Sequence, residues 1–172
     1  MTVTPVPVAV ALGANLGPAK ETIGQALVRL AGILEDMRVS GLYETAAMYV
    51  ADQPDFLNMV AVGSTRLGPI GLVQWCKATE RELGRVPGEP NGPRMIDLDV
   101  LQYGVLELDS NMLRVPHPRS SERRFVMEPW AEADPGATLP GGKRILDWKD
   151  DAALQGQAVR RASDAPLSVP SR

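Results

Sequence analysis

Residues 91–103 read Asn91-Gly92-Pro93-Arg94-Met95-Ile96-Asp97-Leu98-Asp99-Val100-Leu101-Gln102-Tyr103. A Gly-Pro turn leads into a run, Asp97–Tyr103, that reads as a strand. On a strand, residues two apart share a face, so Asp97 and Asp99 project together while Leu98 and Val100 enter the other side. Two carboxylates roughly 4 Å apart repel by about 4 kcal/mol at an effective dielectric of about 20, and Asp is a poor strand former. A divalent cation turns that repulsion into binding. Mg²⁺ suits the pair because it takes one or two carboxylates and fills its remaining positions with phosphate oxygens and water. The plainer alternative is an amphipathic strand with its aspartates in solvent.

Working outward, the chain alternates strands and helices. Val8–Leu12 is a short apolar run ended by Gly13, as in a buried strand. Pro18 opens a helix whose Ile23, Ala26, Leu27, Leu30 and Ala31 form one apolar face, with Gly32 near its end. Met37–Ala46 and Leu57–Arg66 read as strands joined by a polar loop. Pro69 starts a second helix, with Leu72, Val73, Cys76 and Leu83 on its buried side and Gly84 as its stop. The order through Tyr103 is β-α-β-β-α-β. This is an α+β class, a ferredoxin-like sheet with helices packed on one face. Beyond it come a hairpin over Val105–Val115 and helical pieces near Ser121–Ala133 and Ile145–Leu154, a C-terminal hairpin and helix extension. A single domain over 1–154 is expected, with a flexible tail over 155–172, a stretch rich in Ala, Ser, Pro and Arg.

Composition narrows the chemistry. The 172 residues include one cysteine and one histidine, so an internal disulfide framework and a usual zinc site are both excluded. Any metal should be a hard cation on carboxylate oxygens. The net charge of −3 and a pI near 5.2 argue against nucleic acid as a partner. No apolar run is long enough to span a bilayer, and the start lacks the basic region of a secretory signal, so the expected location is cytoplasmic. The 16 glycines and 15 prolines suggest shaped loops rather than a helical bundle.

Two further clusters carry chemistry. Residues 114–124 hold four arginines against one glutamate, a local inversion of charge that reads as a phosphate site. His117 lies within it, although a lone histidine is more often a structural hydrogen-bonding group. Asp52-Gln53-Pro54-Asp55-Phe56-Leu57-Asn58 puts Phe56 and Asn58 two apart, a ring and an amide suited to a flat heterocycle. A core Phe and a strand-end Asn are the bland alternative. Gly13-Ala14-Asn15-Leu16-Gly17 is a tight turn without the Lys-Ser/Thr ending of a P-loop. Arg85–Pro93 is a Pro/Gly-rich loop that could cover phosphates.

Gly92-Pro93-Arg94-x-x-Asp97-Leu98-Asp99-Val100-Leu101 resembles closely the signature of the 6-hydroxymethyl-7,8-dihydropterin pyrophosphokinases of folate synthesis. The resemblance extends from about Val8 to Pro135. It includes Gly13–Gly17, Asp52–Asn58, Val115-Pro116-His117, Arg123, Phe125 and Glu128-Pro129, all in order. It implies ATP as co-substrate, two Mg²⁺ ions on Asp97 and Asp99, and transfer of pyrophosphate to the pterin hydroxymethyl group. It implies that Arg85 and Arg94 contact phosphates and that Glu80, Val100, His117 and Arg123 lie at the nucleotide. Phe56 and Phe125 would bracket the pterin, with Thr45 and Asn58 at its edge and Met48 lining the pocket. The expected state is a monomer acting on small molecules. The chain departs from the family in three places. Its 85–91 loop is one residue shorter than in the best-known members and lacks their extra Arg and Trp. Pro118 stands where some members have Tyr, and Phe56 replaces a frequent Tyr. The competing expectations are another Mg²⁺-dependent nucleotidyl or phosphoryl transferase on a ferredoxin-like sheet, or a non-enzymatic binding module of that fold.

Overall fold

The computed structural model describes residues 3–47 and 52–162. Met48 and the tail residues 163–172 lie outside them. The strands are β1 (Val6–Ala14), β2 (Glu35–Val39), β3 (Tyr43–Thr45), β4 (Phe56–Thr65), β5 (Asp97–Tyr103), β6 (Leu108–Asp109), β7 (Arg114–Val115) and β8 (Arg160–Arg161). The helices are α1 (Ala19–Leu30), α2 (Pro69–Glu82), α3 (Arg124–Ala133) and the single turn α4 (Ala152–Gln155), with 3-10 segments at Ser120–Glu122 and Ile145–Asp150. The main sheet has the order β5-β1-β4-β3-β8, with β2 also on β4, and its pairs are antiparallel. β6 and β7 make the expected small hairpin.

Alternation along β1 and β5 builds the layers. Val8, Val10, Leu12 and Ala14 of β1, with Leu98 and Val100 of β5, pack beneath α1 and α2 against Ile23, Leu27, Leu30, Leu72 and Cys76. Ala9, Val60, Val62 and Leu101 face the other way and are covered by Val126, Met127 and Trp130 of α3, with Ile145, Trp148 and Leu154. The sheet is therefore apolar on both faces at its centre. This corrects the expectation of helices on one face only: the segment after the hairpin is the second covering layer. Its Trp130 is 1% exposed.

Two further expectations change. Met37–Ala46 is not one strand. At Ser40 the side-chain oxygen accepts the Val60 N–H at 3.0 Å and donates to the Gly41 carbonyl at 2.8 Å. This local bonding substitutes for ladder bonds, so the strand breaks and restarts at Tyr43. The stretch expected as a tail from 155 includes β8, whose Arg160 and Arg161 pair with Glu44 and Tyr43. Because Trp130 sits in the layer that the helix periodicity of residues 1–103 did not require, Trp130→Ala is expected to cost about 3–5 kcal/mol. Denaturant unfolding, with one cooperative transition in both proteins, measures it.

Candidate active site

β5 brings Asp97 and Asp99 to the α3 side of the sheet, as the period of two requires. Their neighbours across β1 are Gly13 opposite Asp97 and Ala11 opposite Asp99. On the far side of β1, Gly13 meets Asn58 of β4, and Asn58 meets Tyr43 of β3. The small residues of β1 keep open the floor between the carboxylates and Asn58. A Cβ at Gly13 would stand 3.3 Å from the Asn58 side-chain oxygen.

A cleft of about 110 Å³ stands on this floor, lined among others by Thr45, Phe56, Asn58, Arg94, Asp97, Asp99, His117, Arg123 and Phe125. Nine residues singled out from the sequence thus meet in one place. A second recess of about 210 Å³ opens at the β5 edge, between α2 and the 112–118 segment, with Lys77, Val100, Arg114 and Pro118 in its wall. Asp99 and His117 line both cavities. Asp99 therefore lies between a ring-lined cleft, which Asp97 also lines, and a second recess whose wall carries Lys77 and Arg114.

The charges are interlocked. Arg85 donates to Asp97 Oδ1 at 2.5 Å and Arg94 to Asp97 Oδ2 at 2.8 Å. Burial alone would raise the Asp97 pKa, but these two guanidinium groups hold it below the usual carboxylate range. Asp99 behaves oppositely. Burial, then the neighbouring Asp97 charge, pushes its pKa up to about 6, and among the described residues no hydrogen bond or ion pair with its carboxylate is formed. A half-buried carboxylate without a partner, beside a second carboxylate, is a donor set that fits a hard cation such as Mg²⁺. Among the described residues no group of three or more His, Cys, Asp or Glu gathers, so the remaining positions of such an ion fall to water or ligand oxygens.

Glu80, expected near the nucleotide, lines neither cavity wall. Its side chain is 3% exposed and paired with both Lys77 Nζ (2.9 Å) and Arg85 (2.8 Å). It also accepts the Leu98 N–H of β5 at 2.7 Å. Glu80 thus lies under the site, bracing β5 and Arg85. Burial raises its pKa, opposed by the Leu98 N–H and Lys77. Arg85 lines neither cavity wall and reaches the site through Asp97.

His117 accepts the Arg119 N–H at Nδ1 over 3.3 Å. Burial and then the Arg123 charge lower its pKa, so it is a neutral imidazole carrying its proton on Nε2, a donor for a ligand. Arg123 stands with its guanidinium 5.7 Å from the Phe125 ring centroid. Its Nε is buried with no hydrogen-bond partner among the described residues. The Asn58 amide donates to Thr45 Oγ1 at 2.9 Å, which orients its oxygen away from the hydroxyl.

Asn15 was visible in the sequence only as part of a turn. It is 4% exposed and joins three loops. Its side-chain nitrogen donates to Gln53 Oε1 and to the Pro54 carbonyl, both at 2.9 Å, and its oxygen accepts the Arg94 N–H at 2.9 Å. Gln53 in turn donates to the Asn91 carbonyl at 3.1 Å. Lys77 was also missed: it occurs as one charge on an amphipathic helix, and only the fold turns it toward Glu80 and the second recess.

The carboxylate pair thus stands with Arg94 and Arg123 beside a cleft that Phe56 and Phe125 also line. The chain is similar to known proteins. Residues 9–135 match the family described as 7,8-dihydro-6-hydroxymethylpterin-pyrophosphokinase, and the chain belongs to that family. It is 41% identical over 138 residues to the 2-amino-4-hydroxy-6-hydroxymethyldihydropteridine pyrophosphokinase of Pseudomonas aeruginosa, covering 79% of this chain and 85% of that one. It is 46% identical over 124 residues to the mitochondrial folate synthesis bifunctional protein of Pisum sativum, covering 71% of this chain and 24% of that protein. The chain spans about a quarter or less of the length of this and other longer relatives. The HPPK-DHPS triple mutant of Plasmodium falciparum, solved with pteroate, shares the fold with a TM-score of 0.67 at 13% identity, over 92% of this chain and 47% of that one. Among the described residues no helix is long and apolar enough to cross a membrane.

The raised Asp99 pKa has a consequence for stability. Between the unfolded value of 3.8 and the folded value of about 6, the native state binds the proton more tightly, so stability falls as pH rises through that window. Without divalent cations, unfolding free energy is expected to drop from about pH 4 to 6, and Asp99→Asn to reduce that drop, Glu80 with its raised pKa contributing to the rest. Urea titrations across the range read it.

Proposed function

We propose that the chain transfers the terminal pyrophosphoryl group of ATP to the hydroxymethyl oxygen of 6-hydroxymethyl-7,8-dihydropterin, giving AMP and the pterin diphosphate, a step of folate biosynthesis. The observation that carries this reading is the position of Asp99 and His117 in the walls of both cavities. It supports a ring in the first cavity and a nucleotide in the second, with the phosphate chain running past the aspartates. The pterin hydroxyl attacks the β-phosphorus, the bond from that phosphorus to the α-phosphate oxygen breaks, and the hydroxyl proton is released.

In this reading Phe56 and Phe125 bracket the pterin ring, and Asn58 with Thr45 pairs with its edge. Asp97 and Asp99 would hold two Mg²⁺ ions, whose chemistry is to offset triphosphate charge and align the reacting oxygens. Arg94 and Arg85, now on Asp97, and Arg123, with its unpartnered Nε, supply positive charge where it is needed as the P–O bond breaks. His117 donates from Nε2, and Val100 packs on the nucleotide side. Glu80 serves by holding Arg85 and the backbone of β5. The sheet order β5-β1-β4 followed by β2 and β3 supports a ferredoxin-like core with the later segments as its extension. We also propose one catalytic domain, over the expected 1–154 and on through β8, and a cytoplasmic monomer. The net charge of −3 supports small molecules rather than nucleic acid as partners.

Asp97→Ala and Asp99→Ala are each expected to lower kcat by at least about a hundredfold, the scale of losing one preorganised electrostatic element, while circular dichroism stays native. Phe125→Ala is expected to weaken pterin binding about tenfold or more in calorimetry with a non-hydrolysable ATP analogue present, since a stacked ring is worth about 1–3 kcal/mol. The assay that tests the whole reading is AMP release from ATP with and without pterin. Turnover indifferent to pterin would favour a different Mg²⁺-dependent transferase.

A further inference from the structure

Seven residues after Phe125, on the same side of α3 two turns on, stands Glu132. It does not line either cavity, yet it is a junction. Its Oε2 accepts the Tyr43 hydroxyl at 2.7 Å and the Gly41 N–H at 3.2 Å. Its Oε1 pairs with Arg161 at 2.9 Å. Tyr43 is 5% exposed, so its hydroxyl needs a partner, and burial together with Glu132 raises its pKa. Tyr43 begins β3, whose cross-strand partner on β4 is Asn58, and Thr45 two residues on pairs with Phe56. Glu132 thus joins the helix that carries Phe125 to the strand pair that carries Thr45, Phe56 and Asn58.

The C-terminal strand completes the junction. β8 adds to the outer edge of β3, with Arg161 opposite Tyr43 and Arg160 opposite Glu44, and Arg160 also ion-pairs with Glu44. The Arg161 guanidinium lies 5.9 Å from the Tyr43 ring centroid. It rests against Gly41, where a Cβ would come within 2.6 Å of Nη2. The Ala162 N–H donates to the Leu42 carbonyl at 2.9 Å. β3 has only three residues, and three ladder positions are a weak hold on a cavity wall.

We propose that Glu132 is a positioning residue for the ring-binding cleft, setting the distance between the Phe125 wall and the Thr45–Phe56–Asn58 wall, and that β8 closes this latch through Arg161. The proposal rests on the pterin reading of the first cleft. Both walls must be held at the thickness of one ring for stacking on two sides, and the latch fixes that spacing outside the cleft without touching the ligand. The nucleotide recess, built from α2, β5 and the 112–118 segment, does not depend on it.

The test measures two affinities by calorimetry for each protein: the non-hydrolysable ATP analogue with Mg²⁺ alone, and pterin in its presence. Glu132→Ala is expected to weaken pterin about tenfold, as for loss of hydrogen bonds to a charged group, with analogue affinity kept within about twofold. Glu132→Gln, which still accepts from Tyr43 and Gly41, is expected to recover most of the loss. Arg161→Ala, at an exposed side chain that leaves the core intact, is expected to weaken pterin about threefold. The latch is overturned if Glu132→Ala binds pterin like wild type, or if pterin and analogue affinities fall together. Failure of the wild-type chain itself to bind pterin would overturn the reading of the cleft, and the latch with it.

Discussion

The structure depends on how the charge of Asp97 is compensated. The carboxylate is held between Arg85 and Arg94 at the start of β5, the edge strand of the main sheet, and Arg85 is held in turn by buried Glu80. Removing one partner from a buried ion cluster typically costs several kcal/mol, because a charge is left without solvent or counter-charge. The cluster joins α2, the 85–93 loop and β5. It also stores two guanidinium groups beside a carboxylate pair, so that positive charge is already in place where an anionic ligand would lie.

A second constraint is spatial. The sheet is apolar on both faces, yet a polar cleft must open into it. Gly13 and Ala11 make the opening by supplying almost no side chain next to Asp97 and Asp99. The surrounding loops are drawn in by one buried amide, Asn15, whose side chain makes three hydrogen bonds to the other segments. α3 then serves twice, capping the second apolar layer with Trp130 and presenting Phe125 to the cleft.

Much of this was legible beforehand. β5 matched its expected span because a Gly-Pro turn and strict alternation leave one reading, and the Asp97–Asp99 and Phe56–Asn58 pairs face as a period of two demands. α1 and α2 followed from apolar spacing. The break at Ser40 was not legible, since one hydroxyl bonding to Val60 across the sheet competes with local strand propensity. The covering of the second face was hidden because α3 is short and contains Pro129. β8 was hidden because two arginines in a polar segment carry no apolar pattern.

The sequence by itself determined the strand that carries the aspartates, the side on which they emerge, the helices that bury its other side, and the family. These follow from local periodicity and a dense, ordered motif, which need no knowledge of distant partners. Only the tertiary structure decided that Glu80 braces rather than lines the site, that Lys77 borders the second recess, and that Glu132 meets Tyr43 and Arg161. A charged side chain reads the same in a sequence whether it points to water or to a partner many residues away. Its role is set by which carboxylate and guanidinium the folded chain brings within about 3 Å, where pairing offsets part of the cost of leaving water.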